Sequence, residues 1–244
     1  MINEGTADYA IVTSYPPDWE RLTTITDQLK WEYAKQHGYH YFADCSNLYG
    51  PAGTRQNCVP VGEQVPIMGF IKFELLLHFL PKYKGVVWMD ADLVLTNREI
   101  TLESFFARMP DNDVIVEEDW NGFHSTVIFA RNTPRAYKYL WASNRTGRGF
   151  YLGDPWHEMT SMRNFWLDHI YHDTVGFLPV KDVCPIRAVE YEAFNVPREV
   201  SGDCDWKPGD FALHLSALSF ERRLRLAEHY ADDAHHDQEP PPGP

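Results

Sequence analysis

The stretch Gly85-Val86-Val87-Trp88-Met89-Asp90-Ala91-Asp92 constrains the fold more than any other part of the chain. Its apolar run is too short for a helix of its own and reads as a buried parallel strand. The chain leaves the sheet at the carboxyl end of such a strand, where open α/β sheets bind their ligands. Alternate residues of a strand share a face, so Asp90 and Asp92 can address one ion if the chain stays extended. Two crowded carboxylates repel unless a cation sits between them, and hard oxygen donors suit Mg²⁺ or Mn²⁺. The bland reading of the same residues is a strand end with an Asp-capped turn, and a bare Asp-x-Asp does not exclude it.

The flanking sequence supplies the rest of an α/β sheet. Asp8 to Ser14 is an apolar strand that breaks at Pro16-Pro17. A helix follows with Leu22, Ile25, Leu29 and Tyr33 at helical spacing, ending at Gly38 as a left-handed cap. Tyr39 to Ala43 reads as a second strand, and residues 44–66 as a long loop rich in Gly, Pro, Asn and Ser. The next helix, Met68 to Leu80, carries Phe70, Phe73, Leu77 and Leu80 on one stripe; Lys72 lies off it, where a lysine is normally a solvated charge. Asp113–Glu118 and Ser125–Ala130 are further strands. Thr133-Pro134 opens a helix as N-cap and first residue, with 144–149 expected as a loop. Asp154-Pro155 opens another helix, whose apolar residues from Trp156 to Ile170 suggest burial on more than one side. Glu158 falls in its first turn, where favourable interaction with the helix dipole is the plain explanation. Short strands are expected at Val175–Val180 and Ala188–Phe194. Alternation around His214 makes a strand of its neighbourhood, with His214 opposite Leu213 and Leu215.

The architecture expected is therefore α/β: one Rossmann-like domain over 1–230 with a mixed, mostly parallel sheet between helices. Residues 231–244 form an acidic, Pro-rich tail without core residues and are expected to be disordered. A net charge of −13 argues against nucleic acid or an anionic membrane as the main partner, though a metal can supply local positive charge for a nucleotide. The amino-terminal residues carry no basic or apolar leader, and no apolar run approaches membrane-spanning length. A soluble, cytoplasmic protein is expected; a truncated lumenal domain would read the same. The four cysteines show no metal-binding spacing, and ordinary thiols are preferred over a Cys45–Cys58 bridge.

Several stretches recur in a characteristic order: Tyr33-Ala34-Lys35-Gln36-His37-Gly38-Tyr39, then Lys72, then Tyr83 to Asp92, Trp120 to Ser125 with Arg131-Asn132, and Gly209 to His214. The ordered set, from about Tyr9 to Arg223, resembles glycosyltransferase family 34, the galactosyl-, mannosyl- and xylosyltransferases of mannan and xyloglucan synthesis. The resemblance implies a GT-A fold and a metal-dependent transferase that moves a sugar from a nucleotide-sugar with its α configuration retained. It implies Asp90, Asp92 and His214 as ligands of Mn²⁺ or Mg²⁺. Thr13, Ser14, Tyr15, Lys72, Asp90, Ala91, Asp92 and a basic residue after the histidine, Arg222 or Arg223, would meet the donor. A UDP-sugar is favoured, with a GDP-sugar as the alternative; the acceptor is a glycan, a peptide or a small molecule.

Two departures bear on the sugar. Where relatives read Asn-(Ala/Ser/Thr)-Gly, this chain has His124-Ser125-Thr126, just after Asn121. Where they read Asp-Gln or Glu-Gln, it has Glu158-Met159, and methionine offers no strong hydrogen bond. Either Glu158 or His124 takes the polar role, or the register differs, or donor or activity has changed. Asn121, His124 and Glu158 are the candidate catalytic residues. One rival reading is an inactive GT-A domain that binds nucleotide as a scaffold. The other is a haloacid-dehalogenase-type phosphatase, whose nucleophilic Asp-x-Asp normally follows the first strand of its chain.

Overall fold

The computed structural model describes residues 6–15, 17–43, 65–119, 122–151, 153–154, 156–183, 206–216 and 218–236. The expected strand at 188–194, nearly all of the expected 44–66 loop, Asn121 and the four cysteines lie outside them.

The central sheet has six strands: β1 (Tyr9–Thr13), β2 (His40–Ala43), β3 (Gly85–Met89), β5 (Val114–Asp119), β6 (Gly122–Arg131) and β7 (Val175–Pro179). Their spatial order is β2-β1-β3-β6-β5-β7. The β1–β2, β1–β3 and β5–β7 pairs are parallel, while β6 runs antiparallel to β3 and β5. β6 is thus the one reversed strand of a mostly parallel sheet, in agreement with the α/β architecture expected. A separate two-stranded ladder joins β4 (Leu93–Leu95) to β8 (Ala212–His214).

Both sheet faces are apolar because successive side chains alternate. Ile11, Val87, Met89 and Phe129 face one core, shared with α1 (Glu20–His37), α3 (Leu102–Arg108) and the last helix, α7 (Phe220–His236). Val12, Val86, Trp88 and Ile128 face the other, shared with α2 (Val65–Phe79), α4 (Pro134–Phe150) and α5 (His157–Leu167). A short helix, α6 (Val180–Val183), follows β7. Gly38 ends α1 at φ 73°, its N–H bonded to the Ala34 carbonyl. Thr133 caps α4 by accepting from the Ala136 N–H.

Four expectations change. Residues 144–149 continue α4 rather than forming a loop. Gly147 explains why: a Cβ there would lie 2.2 Å from the Ser161 Oγ, so the close approach of α4 to α5 outweighs glycine's poor helix propensity. α5 buries only Ser161 and Met162 fully, while its last residue Leu167, and Ile170 beyond it, are exposed. α7 runs to His236, past the expected start of the tail at Ala231, because Leu224, Ala227, Tyr230 and Ala231 anchor one face in the core. Lys72 is buried rather than solvated. No helix among the described residues is long and apolar enough to cross a membrane.

Candidate active site at the carboxyl edge of the sheet

Asp90 leaves β3 on the face of Val86 and Trp88, and the Trp88 indole N–H donates to its Oδ1 at 2.6 Å. Its backbone N–H bonds to the Thr126 carbonyl at 2.9 Å, which ties the turn to β6. Asp92 comes one residue later, just before β4. The pairing of β4 with β8 sets Leu93 opposite His214, and the Leu215 N–H donates to the Asp92 carbonyl at 3.1 Å. A residue 122 positions away in sequence is thereby delivered to the motif. His214 Nε2 lies 3.5 Å from Asp92 Oδ1, and ligand atoms of Asp90, Asp92 and His214 all fall within 4.8 Å of one another. Two hard oxygens and an imidazole nitrogen, clustered so, form a donor set that fits one divalent ion of the Mn²⁺ or Mg²⁺ type.

The electrostatics of the two carboxyls differ. Burial pushes the Asp90 carboxyl up, helped by the Asp92 charge, and Lys72 only partly offsets this. Burial works against Asp92 as well, yet His214 and Arg223 together hold its carboxyl below the usual range. Arg223 Nε lies 3.3 Å from Asp92 Oδ2 and donates to the Leu215 carbonyl at 2.8 Å. Arg222, the other basic candidate, is exposed.

Lys72 projects from α2 into a fully buried position. Its Nζ lies 2.9 Å from Glu158 Oε1 and 3.5 Å from Asp90 Oδ1, and it donates to Ser125 Oγ and the Ser125 carbonyl at 3.2 Å. Burial opposes its charge, but Asp90 and Glu158 outweigh burial and raise its pKa. Burial likewise opposes the Glu158 charge, and Lys72 reverses the balance, holding the carboxyl low. Glu158 therefore does more than meet the helix dipole. Gly69 makes room for it: a Cβ there would lie 2.3 Å from Glu158 Oε2. Gly69→Ala is expected to cost about 1–3 kcal/mol by overpacking this pair, as measured by urea unfolding.

Thr13 and Ser14 lie at the end of β1, one and two residues beyond the pair Val12–Trp88. Both are buried, and neither hydroxyl has a hydrogen-bond partner among the described residues. Tyr15 borders a groove of about 410 Å³, shared with Asp27, Trp31 and Tyr41 at the carboxyl ends of β1 and β2. His124 sits on β6 with Nδ1 2.8 Å from Glu117 Oε2. The structure thus gathers Asp90, Ala91, Asp92, His214, Lys72, Glu158 and His124 at one edge of the sheet.

Sequence reasoning passed over Lys30, which is wholly buried on α1 and donates to the Asp90 carbonyl at 2.8 Å. Thr26, one turn earlier, donates to the Ala91 carbonyl at 2.7 Å. Their signal was a polar pair four residues apart, standing inside the apolar stripe of α1. Glu117, buried where β5 passes from Val114–Val116 into acidic residues, carried a similar signal.

No protein-family model and no curated protein matches the sequence. Solved structures do match. One is a glycosyltransferase involved in the glycosylation of the major capsid of PBCV-1 (TM-score 0.65, 14% identity, 91% of this chain and 100% of that one). A second is the galactosyltransferase LgtC in complex with donor and acceptor sugar analogs (TM-score 0.58, 11% identity, 96% and 98%). A third is mouse xyloside xylosyltransferase 1 (TM-score 0.51, 11% identity, 86% and 98%). At these identities the similarity establishes the fold. The chain has the GT-A glycosyltransferase fold, with an Asp-x-Asp and histidine cluster at the carboxyl edge of its sheet.

Proposed function

We propose that the chain is a metal-dependent retaining glycosyltransferase, transferring a sugar from a nucleotide-sugar to an acceptor hydroxyl with α configuration. The observation that carries this reading is the convergence of Asp90, Asp92 and His214 on one point of a GT-A fold. Asp90, Asp92 and His214 would hold Mn²⁺ or Mg²⁺. When bound, such an ion supplies Lewis-acid neutralisation of the leaving diphosphate. The hydroxyls of Thr13 and Ser14, without partners among the described residues, and the groove beside Tyr15 are suited to a nucleoside, because buried polar atoms gain most from a ligand that satisfies them. Ala91 lies between the two carboxylates at the same edge. Lys72 fixes a positive charge behind Asp90 and orients Glu158 toward the sugar. His124 borders the same space, and Asn121 is kept as a third candidate from the sequence. The donor favoured is a UDP-sugar, with a GDP-sugar as the alternative, and the acceptor a glycan, peptide or small molecule. A soluble, cytoplasmic setting accompanies this reading.

A thermal-shift panel of nucleoside diphosphates, with Mn²⁺ and with EDTA, tests it. A ligand at about 100 times its Kd adds about 2.7 kcal/mol to native stability. A rise of several degrees is expected for one nucleotide, lost in EDTA; no shift with any nucleotide removes the donor site. The reading of a nucleotide-binding scaffold without turnover has one observation in its favour: Lys72 and Arg223 place a cation within 3.5 Å of each carboxylate. Binding without transfer to any acceptor would establish it.

Glu158→Gln separates a role at the sugar from a structural one. Turnover is expected to fall at least about a hundredfold, the lower end of what a positioned acid or base contributes, with nucleotide affinity kept. Unchanged turnover would return Glu158 to structure alone. The same variant has a signature in acid. Because the folded carboxyl is held below its ordinary value of 4.5, the native state releases that proton more readily than the unfolded chain. Its contribution is complete above that value and is lost as pH falls through the folded pKa. Urea midpoints from about pH 5 to about pH 3 should therefore fall less steeply in Glu158→Gln than in the wild type.

A further inference from the structure

Two buried side chains of α1 reach under the Asp-x-Asp motif, and the proposed chemistry leaves them unused. The Leu93 N–H donates to the Asp90 carbonyl at 3.2 Å, closing a four-residue turn with Ala91 and Asp92 at its centre. Backbone bonds tie the ends of this turn: the Asp90 N–H donates to the Thr126 carbonyl, and the Asp92 carbonyl accepts the Leu215 N–H. Side chains tie its central peptide. The Ala91 carbonyl accepts from Thr26 Oγ1 at 2.7 Å and from Lys30 Nζ at 3.4 Å. Lys30 also donates to the Asp90 carbonyl at 2.8 Å and faces Asp27 Oδ1 at 3.9 Å. Thr26 and Lys30 are both 0% exposed, so these bonds are not shared with solvent.

We propose that Thr26 and Lys30 clamp the Ala91–Asp92 peptide, fixing the turn that presents both carboxylates to a divalent cation. They are positioning residues, and the inference rests on the metal reading above. Neither Ala91 nor Asp92 has a positive φ, so the turn is of type I. Rotating the central peptide by half a turn gives type II, which needs φ > 0 at the third residue, here Asp92. Aspartate tolerates that conformation, so the local sequence does not forbid the change. The two forms differ in what they aim at the carboxylates. A peptide N–H and carbonyl point in opposite directions; with the carbonyl held against α1, the Asp92 N–H bonds to its own carboxyl. The type II form would aim a carbonyl oxygen there instead, repelling that carboxyl and leaving it without its N–H. Apparent affinity falls with the fraction of molecules in the competent form, so the clamp strengthens metal binding without touching the ion.

The test is Mn²⁺ titration of the full chain by calorimetry, beside urea unfolding in EDTA. The wild type should bind one ion. Thr26→Val keeps the shape and removes the hydroxyl; it should weaken Mn²⁺ binding about 10–100-fold, as for other partners behind metal ligands. Thr26→Ser keeps the hydroxyl and should stay within about threefold of wild type. Lys30→Met should weaken binding by at least about tenfold and also lower the urea midpoint. Unchanged affinity in Thr26→Val or Lys30→Met, whatever the midpoint, reduces the pair to support of the fold and overturns the clamp. An equal loss in Thr26→Ser overturns it as well. Failure of the wild type to bind Mn²⁺ overturns the metal reading too, and is seen without any variant. Should the variants not fold, proton NMR of the wild type in EDTA and in Mg²⁺ decides the matter. A strong nuclear Overhauser effect between the Ala91 and Asp92 N–H groups, the mark of a type I turn, is expected in both. A strong effect from the Ala91 Hα to the Asp92 N–H in EDTA marks type II and overturns the proposal.

Discussion

His214→Ala and Asp92→Asn should each lower metal-dependent sugar transfer by more than about a hundredfold, since even a partner behind a metal ligand is worth 10–100-fold. Each removes one donor from a set of three whose ligand atoms lie within 4.8 Å. The fold should persist, because β8 is held by its ladder to β4 and by the buried Leu213 and Leu215 rather than by the imidazole. The check is turnover against Mn²⁺ concentration, with far-ultraviolet circular dichroism on the same samples. The specific sign is a shift of the Mn²⁺ dependence to higher concentration; a variant that turns over normally in EDTA would place the chemistry elsewhere. Arg223→Ala supplies the contrast. It removes a cation from Asp92 and should leave metal dependence in place.

Lys72→Met should be the most destabilising single change at the site, by about 3–5 kcal/mol, the usual cost of stripping one partner from a buried ion pair. Lys72 is 3% exposed, and its removal leaves Glu158 and Asp90 facing each other without the charge between them. Urea unfolding in EDTA measures the cost apart from any metal. Lys72→Met combined with Glu158→Gln should recover part of it, with a coupling of about 0.5–3 kcal/mol between groups in contact. Additive effects within about 0.5 kcal/mol would mean that the pair does not act as a unit. Lys72→Arg should not substitute, because a planar fork cannot take the place of an ammonium shared between two carboxylates and a serine.

The sites of these two changes were unequally legible in the chain. Asp90 and Asp92 stand out locally as two carboxylates ending a short apolar run, although a strand end with an Asp-capped turn reads the same way. His214 carried only an alternating strand, and its tie to the motif required a resemblance. Lys72 looked like a solvated charge because it lies off the apolar stripe of α2. It is buried because α5, from a part of the chain 86 residues away, lays Glu158 against it. Lys30 and Thr26 hid in the same way inside the stripe of α1, holding the carbonyls of Asp90 and Ala91. The continuation of α4 through 144–149 was also invisible locally, because glycine there is bad for a helix and good for a close helix crossing.

The sequence by itself determined what depends on neighbours along the chain. The apolar runs of β1 and β3, the glycine cap of α1, the threonine cap of α4 and the carboxylates at the end of β3 all follow from local sterics and solvation. Only the tertiary structure decided which distant groups share the space beyond those carboxylates. The β4–β8 ladder brings His214 to Asp92, and helix packing brings Glu158 to Lys72. The β5–β6 bulge brings Glu117 to His124. The reason is that a charge's partner and its hydration are set by which surfaces meet, and sequence spacing does not carry that information.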